Sequence, residues 1–144
     1  MNTTYSFSDV SVTFSHPKVG QHIANGEGIG NLNVSMSNDR TSHDVAADGS
    51  VMVSKIRARN GLLAVAIQQT SSLHKWLQKW FNYLEAASTS EWADTTIIIR
   101  SPVMGETKTF TGVSPQKQAD VPYQAQGQLV TWNLMATDIQ QNVV

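Results

Sequence analysis

The segment Ser72-Leu73-His74-Lys75-Trp76-Leu77-Gln78-Lys79-Trp80-Phe81-Asn82-Tyr83-Leu84-Glu85-Ala86-Ala87 determines the fold. Its large apolar residues recur at the spacing of an amphipathic α-helix: Leu73, Trp76, Leu77, Trp80, Phe81 and Leu84. Ser71 or Ser72 can cap the first turn of this helix. Burial of each such side chain contributes roughly 1.5–3 kcal/mol. The helix therefore requires a sheet to pack against, and the rest of the chain must supply it.

The other periodic segments alternate apolar and polar residues, which is typical of strands. Strands are predicted at residues 5–14, 31–37, 43–47, 50–59, 61–70, 95–100, 106–113 and 128–137. The pair Asp48-Gly49 predicts a type I′ hairpin turn, and a phase change near Ser8 predicts a bulge. Residues 18–30, which contain Gly26, Gly28 and Gly30, are predicted to form a loop.

These patterns predict one domain over residues 1–144 with a mainly β fold. The expected architecture is a β-sandwich or partly closed barrel of about seven or eight strands, with one amphipathic helix at about 72–87. The last strand should bury one face, formed by Val130, Trp132, Leu134 and Ala136.

Composition excludes several classes of protein. Ten basic and 11 acidic residues give a net charge of −1, which argues against a globally basic nucleic-acid binder. The absence of cysteine excludes disulfides and thiol chemistry. Only 15 % of residues are charged, whereas about a quarter is usual. A surface rich in Ser, Thr, Asn and Gln suits a protein that mainly contacts copies of itself.

No targeting or membrane segment is predicted. The N-terminus has neither a basic start nor an apolar run, so no secretory signal is expected. The longest apolar run, residues 62–67, is too short to span a bilayer.

No reactive constellation emerges from the sequence. His16, His22, His43 and His74 lack the spacing of zinc ligands, so surface or interface positions are expected for them. No GxSxG elbow is present. We therefore predict that the protein is not an enzyme and that it has no catalytic residue, cofactor or metal site. A hydrolase with an unrecognised site is the weakest alternative.

Two polar patterns are candidate contact surfaces. Asn31, Asn33, Ser35 and Ser37 form one face of a predicted strand, and Leu32, Val34 and Met36 form the other. Lys55, Arg57 and Arg59 are spaced by two, so a continuous strand would place all three on one face. For these cations, solvation, pairing with acids of a neighbouring subunit, and nucleic-acid binding remain open. Nucleic-acid binding is the weakest, because no aromatic residues alternate with them.

The predicted hairpin and the segments that follow it resemble those of a known protein family. The segment Thr41-Ser42-His43-Asp44-Val45-Ala46-Ala47-Asp48-Gly49-Ser50-Val51-Met52-Val53-Ser54 resembles the central hairpin of tail tube proteins from contractile-tailed bacteriophages. The continuation is similar too: Asn60-Gly61-Leu62-Leu63, then Gln68-Gln69-Thr70-Ser71, then the single helix. The resemblance covers most of the chain. Related tubes occur in phage-derived bacteriocins and in type VI secretion.

The resemblance implies a structural subunit. Such subunits form hexameric rings that stack into a hollow tube inside a contractile sheath, through which DNA passes during ejection without specific binding. The implied partners are other copies of the chain, the sheath protein, and the baseplate and tape-measure proteins, with no membrane and no cofactor. The implied location is the tail of the virion, after synthesis in the host bacterial cytoplasm.

If the chain is a tail tube subunit, the two candidate surfaces have expected roles in the tube. Asn31, Asn33, Ser35 and Ser37 are expected to line the lumen, together with a C-terminal strand that carries Thr131 and Asn133; the alternative is an outer, solvent-exposed face. Contacts between subunits or rings are expected at Asp44, Asp48, Gly49, Lys55, Arg57 and Arg59.

The rival function is a β-sandwich binding module of a tail fibre or baseplate that recognises carbohydrate. Such a module should expose aromatic residues in loops, yet Trp76, Trp80 and Trp132 lie in periodic elements, and Trp92 is the exception.

Overall fold

A computed structural model describes residues 2–25 and 28–143 of this chain of 144 residues, so Gly26 and Glu27 of the predicted glycine loop lie outside the described part. The described strands are β1 Ser11–His16, β2 Gly20–Ala24, β3 Ile29–Met36, β4 Thr41–Val45, β5 Val51–Lys55, β6 Gly61–Gln68, β7 Thr95–Ser101, β8 Glu106–Pro115 and β9 Leu129–Val143. The helix is α1, Ser72–Ala86, and short 3-10 turns cover Phe7–Asp9 and Thr89–Glu91.

Seven strands form one antiparallel sheet in the order β2-β1-β7-β8-β9-β6-β3, and β4 pairs only with β5. The predicted mainly β class with one helix is confirmed. The number of strands in the described part is nine rather than seven or eight, and their pairing does not close a barrel.

The large sheet is nevertheless strongly curled. Val34 of β3 and Ile99 of β7 line the same cavity of about 140 Å³, although three strands separate β3 from β7 in the sheet. In addition, β2 and β3 lie at opposite edges but are only four residues apart in the chain. A fully extended connection of that length spans about 18 Å at most. The two edges therefore approach each other, which accounts for the barrel-like pattern in the sequence.

The helix prediction is confirmed. The α1 helix begins at Ser72, and the hydroxyl of Ser71 accepts a hydrogen bond of 3.2 Å from the amide of His74. One side of the helix packs against the inner face of the sheet. The buried residues on this side are Leu73, Leu77, Trp80, Phe81 and Leu84. Within the described residues, no helix is both long and apolar enough to cross a membrane.

Aromatic contacts fix the helix over several strands at once. Trp76 lies 5.9 Å from Phe14 of β1, and its ring stacks on Trp80 at 6.1 Å between centroids. Phe81 lies 6.2 Å from Trp132 of β9. The fully buried indole of Trp80 donates a 2.7 Å hydrogen bond to the hydroxyl of Thr95, in β7.

The N-terminal prediction is wrong in two places. Residues 5–10 form no strand; the amide of Val10 bonds to the carbonyl of Phe7 in a 3-10 turn, so the out-of-phase pattern marks this turn rather than a bulge. The predicted loop at 18–30 contains β2, of which only Ala24 is buried. An edge strand with one buried residue shows no alternation, which is why the pattern misses it.

Two further boundaries differ. β9 continues to Val143, because its polar second half pairs with β8. The predicted strand 50–59 ends at Lys55. The buried residues predicted for the last strand, Val130, Trp132, Leu134 and Ala136, are confirmed.

The hydrogen bond between Trp80 and Thr95 generates a stability prediction. Thr95→Val preserves the shape of the side chain but leaves the buried indole N–H without an acceptor, so we expect the free energy of unfolding to fall by about 1–3 kcal/mol. Urea unfolding followed by circular dichroism measures this change. Thr96→Val is the matched control, because Thr96 lies next in the same strand and is only half-buried.

A double variant isolates the hydrogen bond. In a Trp80→Phe background the donor is already absent, so Thr95→Val should cost much less than it does alone. Equal costs of Thr95→Val and Thr96→Val in the otherwise unchanged protein would contradict the assignment.

Candidate functional site

The small polar face predicted on β3 extends across three strands. The described pairing places Asn31 opposite Ala66 and Asn33 opposite Ala64 on β6. The same two alanines face Thr131 and Asn133 on β9: Ala66 pairs with Thr131, and Ala64 pairs with Asn133. Because directly paired residues share one face of a sheet, these side chains form a continuous surface, called here the neutral face: Asn31, Asn33, Ser35, Ala64, Ala66, Thr131 and Asn133. At the Ser35 end this surface borders two larger apolar residues, because Ser35 pairs with Leu62 and Leu62 pairs with the exposed Met135.

The other side of these strands faces the core. Leu32 pairs with buried Val65, which pairs with buried Trp132. The structure therefore brings together the polar residues predicted on β3 and β9, and it separates them from the helix by the thickness of the sheet. Ser37 is exposed but lies just past the end of β3, where its amide bonds to the carbonyl of Asn60.

The pairing of β8 with the second half of β9 is mostly polar, and it includes the charged Asp138 opposite Thr111. Thr107 pairs with Asn142 and Thr109 with Gln140. The two strands pass each other closely at Gly112, whose φ is +61°. A side chain there would collide with Thr137, so the position requires glycine.

The β4–β5 hairpin makes a separate exposed surface. All ten residues of its two strands are exposed, including Val45, Val51, Met52 and Val53, which are 51–64 % accessible. A two-stranded hairpin on its own is at best marginally stable in water. The exposed apolar side chains of this hairpin are therefore available for contact with another protein surface, and such a contact would stabilise the hairpin.

The turn of the hairpin is not type I′. Only Gly49 has positive φ, at 91°, and its amide bonds to the carbonyl of Ala46 at 2.9 Å, as in a type I turn followed by a left-handed residue. Asp48 accepts hydrogen bonds from the hydroxyl and the amide of Ser50, at 2.6 and 3.0 Å. These bonds, the hydroxyl first, lower the pKa of the Asp48 carboxyl. Asp44 lies in β4 opposite Met52.

The three cations do not share a strand face, contrary to the prediction. Lys55 ends β5, whereas Arg57 and Arg59 lie in the following irregular segment. The guanidinium of Arg59 pairs with Asp138 of its own chain at 2.9 Å, and its carbonyl accepts from the amide of Ile139. Lys55 and Arg57 are exposed. Through these two contacts, Arg59 attaches the segment that follows the hairpin to strand β9.

The four histidines do not converge, and His16 is buried rather than on the surface. Its Nδ1 accepts from the amide of Lys18 at 3.1 Å, so the proton is on Nε2, which donates to the carbonyl of Glu91 at 3.2 Å. Across residues 2–25 and 28–143, no group of three or more His, Asp or Glu side chains is placed to hold a metal ion.

His74 and His22 are half-buried against tryptophans. Trp132 donates a 3.2 Å hydrogen bond from its indole N–H to Nδ1 of His74, and the ring of His22 lies 6.4 Å from that of Trp76. Burial lowers the pKa of both histidines. Trp92 is half-buried against Phe81, at 6.5 Å between ring centroids, so the tryptophan outside the periodic elements is not an exposed loop aromatic.

Comparison with known proteins identifies a family. The family model described as "Bacteriophage PhiTE tail tube protein" matches residues 1–143. A sequence search finds no matching curated protein.

Solved structures share the fold at low identity. A chain of the sheath-tube complex of an extracellular contractile injection system, PVC, in the extended state is 10 % identical with a TM-score of 0.61, over 98 % of this chain and 93 % of that one. A chain of the anti-feeding prophage baseplate is 15 % identical, with a TM-score of 0.58 over 100 % and 99 % of the two chains. A chain of the anti-feeding prophage cap is 9 % identical, with a TM-score of 0.60 over 100 % and 95 %.

His74 generates a pH prediction. Because burial lowers its pKa below the ordinary value of 6.5, the unfolded chain binds a proton more readily than the folded chain does. The free energy of unfolding should therefore be constant above pH 6.5 as far as His74 is concerned, and should fall as the pH drops below that value. Urea unfolding from pH 7.5 to 5 measures this dependence.

The matched variant is His74→Gln, which keeps a hydrogen-bond acceptor but cannot titrate. The slope of stability against pH should be shallower in this variant, and His22 contributes part of what remains. Identical slopes for both proteins would contradict the role given to His74.

Proposed function

This chain belongs to the family of the bacteriophage PhiTE tail tube protein, and we propose that its copies close into hexameric rings that stack into the DNA-conducting tube of a contractile tail. The chain acts as a single tail-tube domain over residues 1–144 and as a structural component rather than an enzyme. It is made in the host bacterial cytoplasm and assembles into the tail of the virion. Its partners are further copies, the sheath protein, and the baseplate and tape-measure proteins.

The neutral face carries the proposal for the channel. Its seven residues are Asn, Ser, Thr and Ala, and none is charged. Cations that contact phosphates bind nucleic acid strongly, and carboxylates repel it. A wall of short, neutral, hydrated side chains does neither, so DNA slides past it. The support is that β3, β6 and β9 present this surface together, on the side away from the core.

The β4–β5 hairpin is the proposed contact with an adjacent subunit or ring. Burial of its exposed valines and Met52 against another copy would stabilise it. The proposed contact includes Asp44 of β4 and Asp48 and Gly49 of the turn. A contact between different surfaces of identical subunits closes into rings or extends into filaments. Lys55 and Arg57 lie beside this contact, and Arg59 holds the base of the hairpin through Asp138.

The channel assignment predicts the effect of added charge. Asn33→Lys with Ser35→Lys leaves the core side of β3 unchanged, so tubes should still form. The passage of DNA should slow because the added cations bind phosphate, and the defect should ease at higher salt. Electron microscopy measures assembly, and the rate of DNA release from particles measures passage.

Ser88→Lys with Ser90→Lys is the matched control, because it adds the same charge at exposed positions just after the helix. This control should leave passage unchanged. Normal passage through the channel variant, or a tube density map with Asn33 on the outside, would refute the assignment.

The hairpin assignment predicts an assembly defect for Gly49→Val. No other atom lies within 4 Å of the Cβ that a side chain would add, so the change acts through φ and not through a clash. A β-branched residue at φ 91° costs of the order of 1–3 kcal/mol of backbone strain, which distorts the turn. We expect a folded subunit with few rings or tubes by negative-stain microscopy.

Gly127→Val is the matched control, because it also has open space at Cβ but no positive φ. It should assemble like the unchanged protein. Normal tubes from Gly49→Val would exclude the hairpin contact. An unchanged protein that sediments only as a 15.8 kDa monomer at high concentration and varied salt would exclude the tube itself.

A further inference from the structure

Strand β3 is an edge of the seven-stranded sheet. Within residues 2–25 and 28–143 it pairs with β6 only, so the backbone groups on its other side have no strand partner there. Such an edge can pair with a strand of another chain, and proteins usually protect it with a charge, a proline, a bulge, a short strand or a covering segment.

The sequence of β3 offers little protection of its own. The strand is eight residues long, and Ile29–Met36 contains no charged residue and no proline. Its one register shift lies at its beginning, between Ile29 and Asn31, so the rest of the strand is regular. A covering segment is therefore the remaining means of protection.

The N-terminal strap, defined here as residues 2–10, supplies a cover. Its aromatic residues Tyr5 and Phe7 line one pocket with residues 30–32 of β3. The same two side chains also line the cavity of about 140 Å³, whose other side includes Met104 in the turn between β7 and β8. The strap thus crosses the gap between the free edge of β3 and this turn.

Few interactions hold the strap in place. In the described part of the chain, its backbone hydrogen bonds stay within the strap: the amide of Asp9 donates to the carbonyl of Ser6, and that of Val10 to the carbonyl of Phe7. No residue of its 3-10 turn is buried, and Tyr5 is 59 % exposed. A segment with few buried contacts and an unfilled cavity beneath it opens at low free energy. Buried Val10 ties only its end to the core.

Each copy of the chain also carries free strand edges that could pair with β3 of another copy. Among the described residues, β2 pairs only with β1, and β4 and β5 pair only with each other. Joining two different edges of identical chains is a heterologous contact, which closes into rings or extends into filaments. A second copy is therefore a suitable partner for the free edge of β3.

We propose that the N-terminal strap is a removable cover that prevents β3 from pairing, and that its displacement lets a strand of a second copy add to β3 during assembly. The added strand is held by main-chain hydrogen bonds. Because only subunits with an open edge can pair, the fraction that is open limits the rate of assembly. This inference rests on the proposed function and adds a control of assembly to it.

The first test weakens the strap. Tyr5→Ser with Phe7→Ser removes both aromatic side chains that meet β3, so the fraction of subunits with an open edge should rise by about tenfold or more. Light scattering should then show a shorter lag and faster tube growth than in the unchanged protein. Deuterium uptake by the backbone amides of β3, measured at a concentration too low for assembly, should rise as well.

Tyr123→Ser is the matched control. It also removes an aromatic side chain, but from the connector between β8 and β9, where Tyr123 is 91 % exposed. It should leave both the lag and the deuterium uptake unchanged. Circular dichroism of both variants measures whether the subunits are folded.

The second test fixes the strap in the folded subunit. The chain has no cysteine, so Tyr5→Cys with Met104→Cys introduces the only two thiols. Both positions are exposed and line the same cavity, and neither is on the neutral face. Joining the thiols with a reducible bis-maleimide should suppress tube growth, and reduction of the linker should restore it. The two single-cysteine variants, treated with the same reagent, control for the substitutions and the adducts.

The outcomes distinguish this inference from the proposed function. If the unchanged protein and the Ser variant form no tubes under any condition, the proposed function fails, while deuterium uptake still tests whether the strap covers β3. Unchanged uptake in the Ser variant would show that the strap is not a cover. Slower tube growth of the folded Ser variant, or normal growth of the cross-linked protein, would show that the strap stays in place during assembly and would overturn the proposal.

Discussion

The buried hydrogen bond from Trp80 to Thr95 is the constraint on which the fold depends. A helix with a purely apolar face could slide or rotate on a sheet, because burial alone has no direction. The indole N–H must find an acceptor once it is buried, and Thr95 at the start of β7 supplies it at 2.7 Å. Trp76 and Phe81 then reach β1 and β9 on either side. One polar contact thus fixes the position of a helix whose other contacts with the sheet are non-directional apolar burial.

With the helix fixed, the strands of the seven-stranded sheet that it covers have a defined inner and outer side. The inner side of β3, β6 and β9 is covered by apolar packing, which leaves the outer side free of any task in the folding of the subunit. The chemistry of that side can then vary without loss of the fold, which is compatible with the channel role proposed for it. The same separation holds for the β4–β5 hairpin, which pairs with no strand of the main sheet and contributes none of the buried core residues.

Sequence patterns predicted the elements that bury one face, and the Asp48-Gly49 turn signal predicted the fully exposed β4–β5 hairpin, but elements with neither signal were missed. The α1 helix, β3, β6 and β9 carry strong periodicity and were found. The edge strand β2 buries only Ala24, and the second half of β9 is polar. Neither segment therefore shows the alternation of apolar and polar residues that predicts a strand. The segment that leads into the 3-10 turn resembled a strand because Tyr5 and Phe7, both aromatic, are spaced by two. The neutral residues of β3 and β9 could be predicted singly, but their alignment through Ala64 and Ala66 is a matter of register, which composition does not encode. The pairing of Arg59 with Asp138 spans 79 residues and leaves no local trace.

The alternation along β3 also limits how such chains can diverge. Exchanging Asn for Ser or Thr on its outer side alters neither packing nor charge, so identity can drift with little cost. Insertion of one residue would instead turn Leu32 and Val34 to the outside and the asparagines into the core. Deletions and insertions are therefore excluded from the strand but tolerated in the polar connector between β8 and β9. Chains that are only 9–15 % identical can therefore share one architecture, because the phase of the apolar pattern, and not the particular residue types, determines the fold.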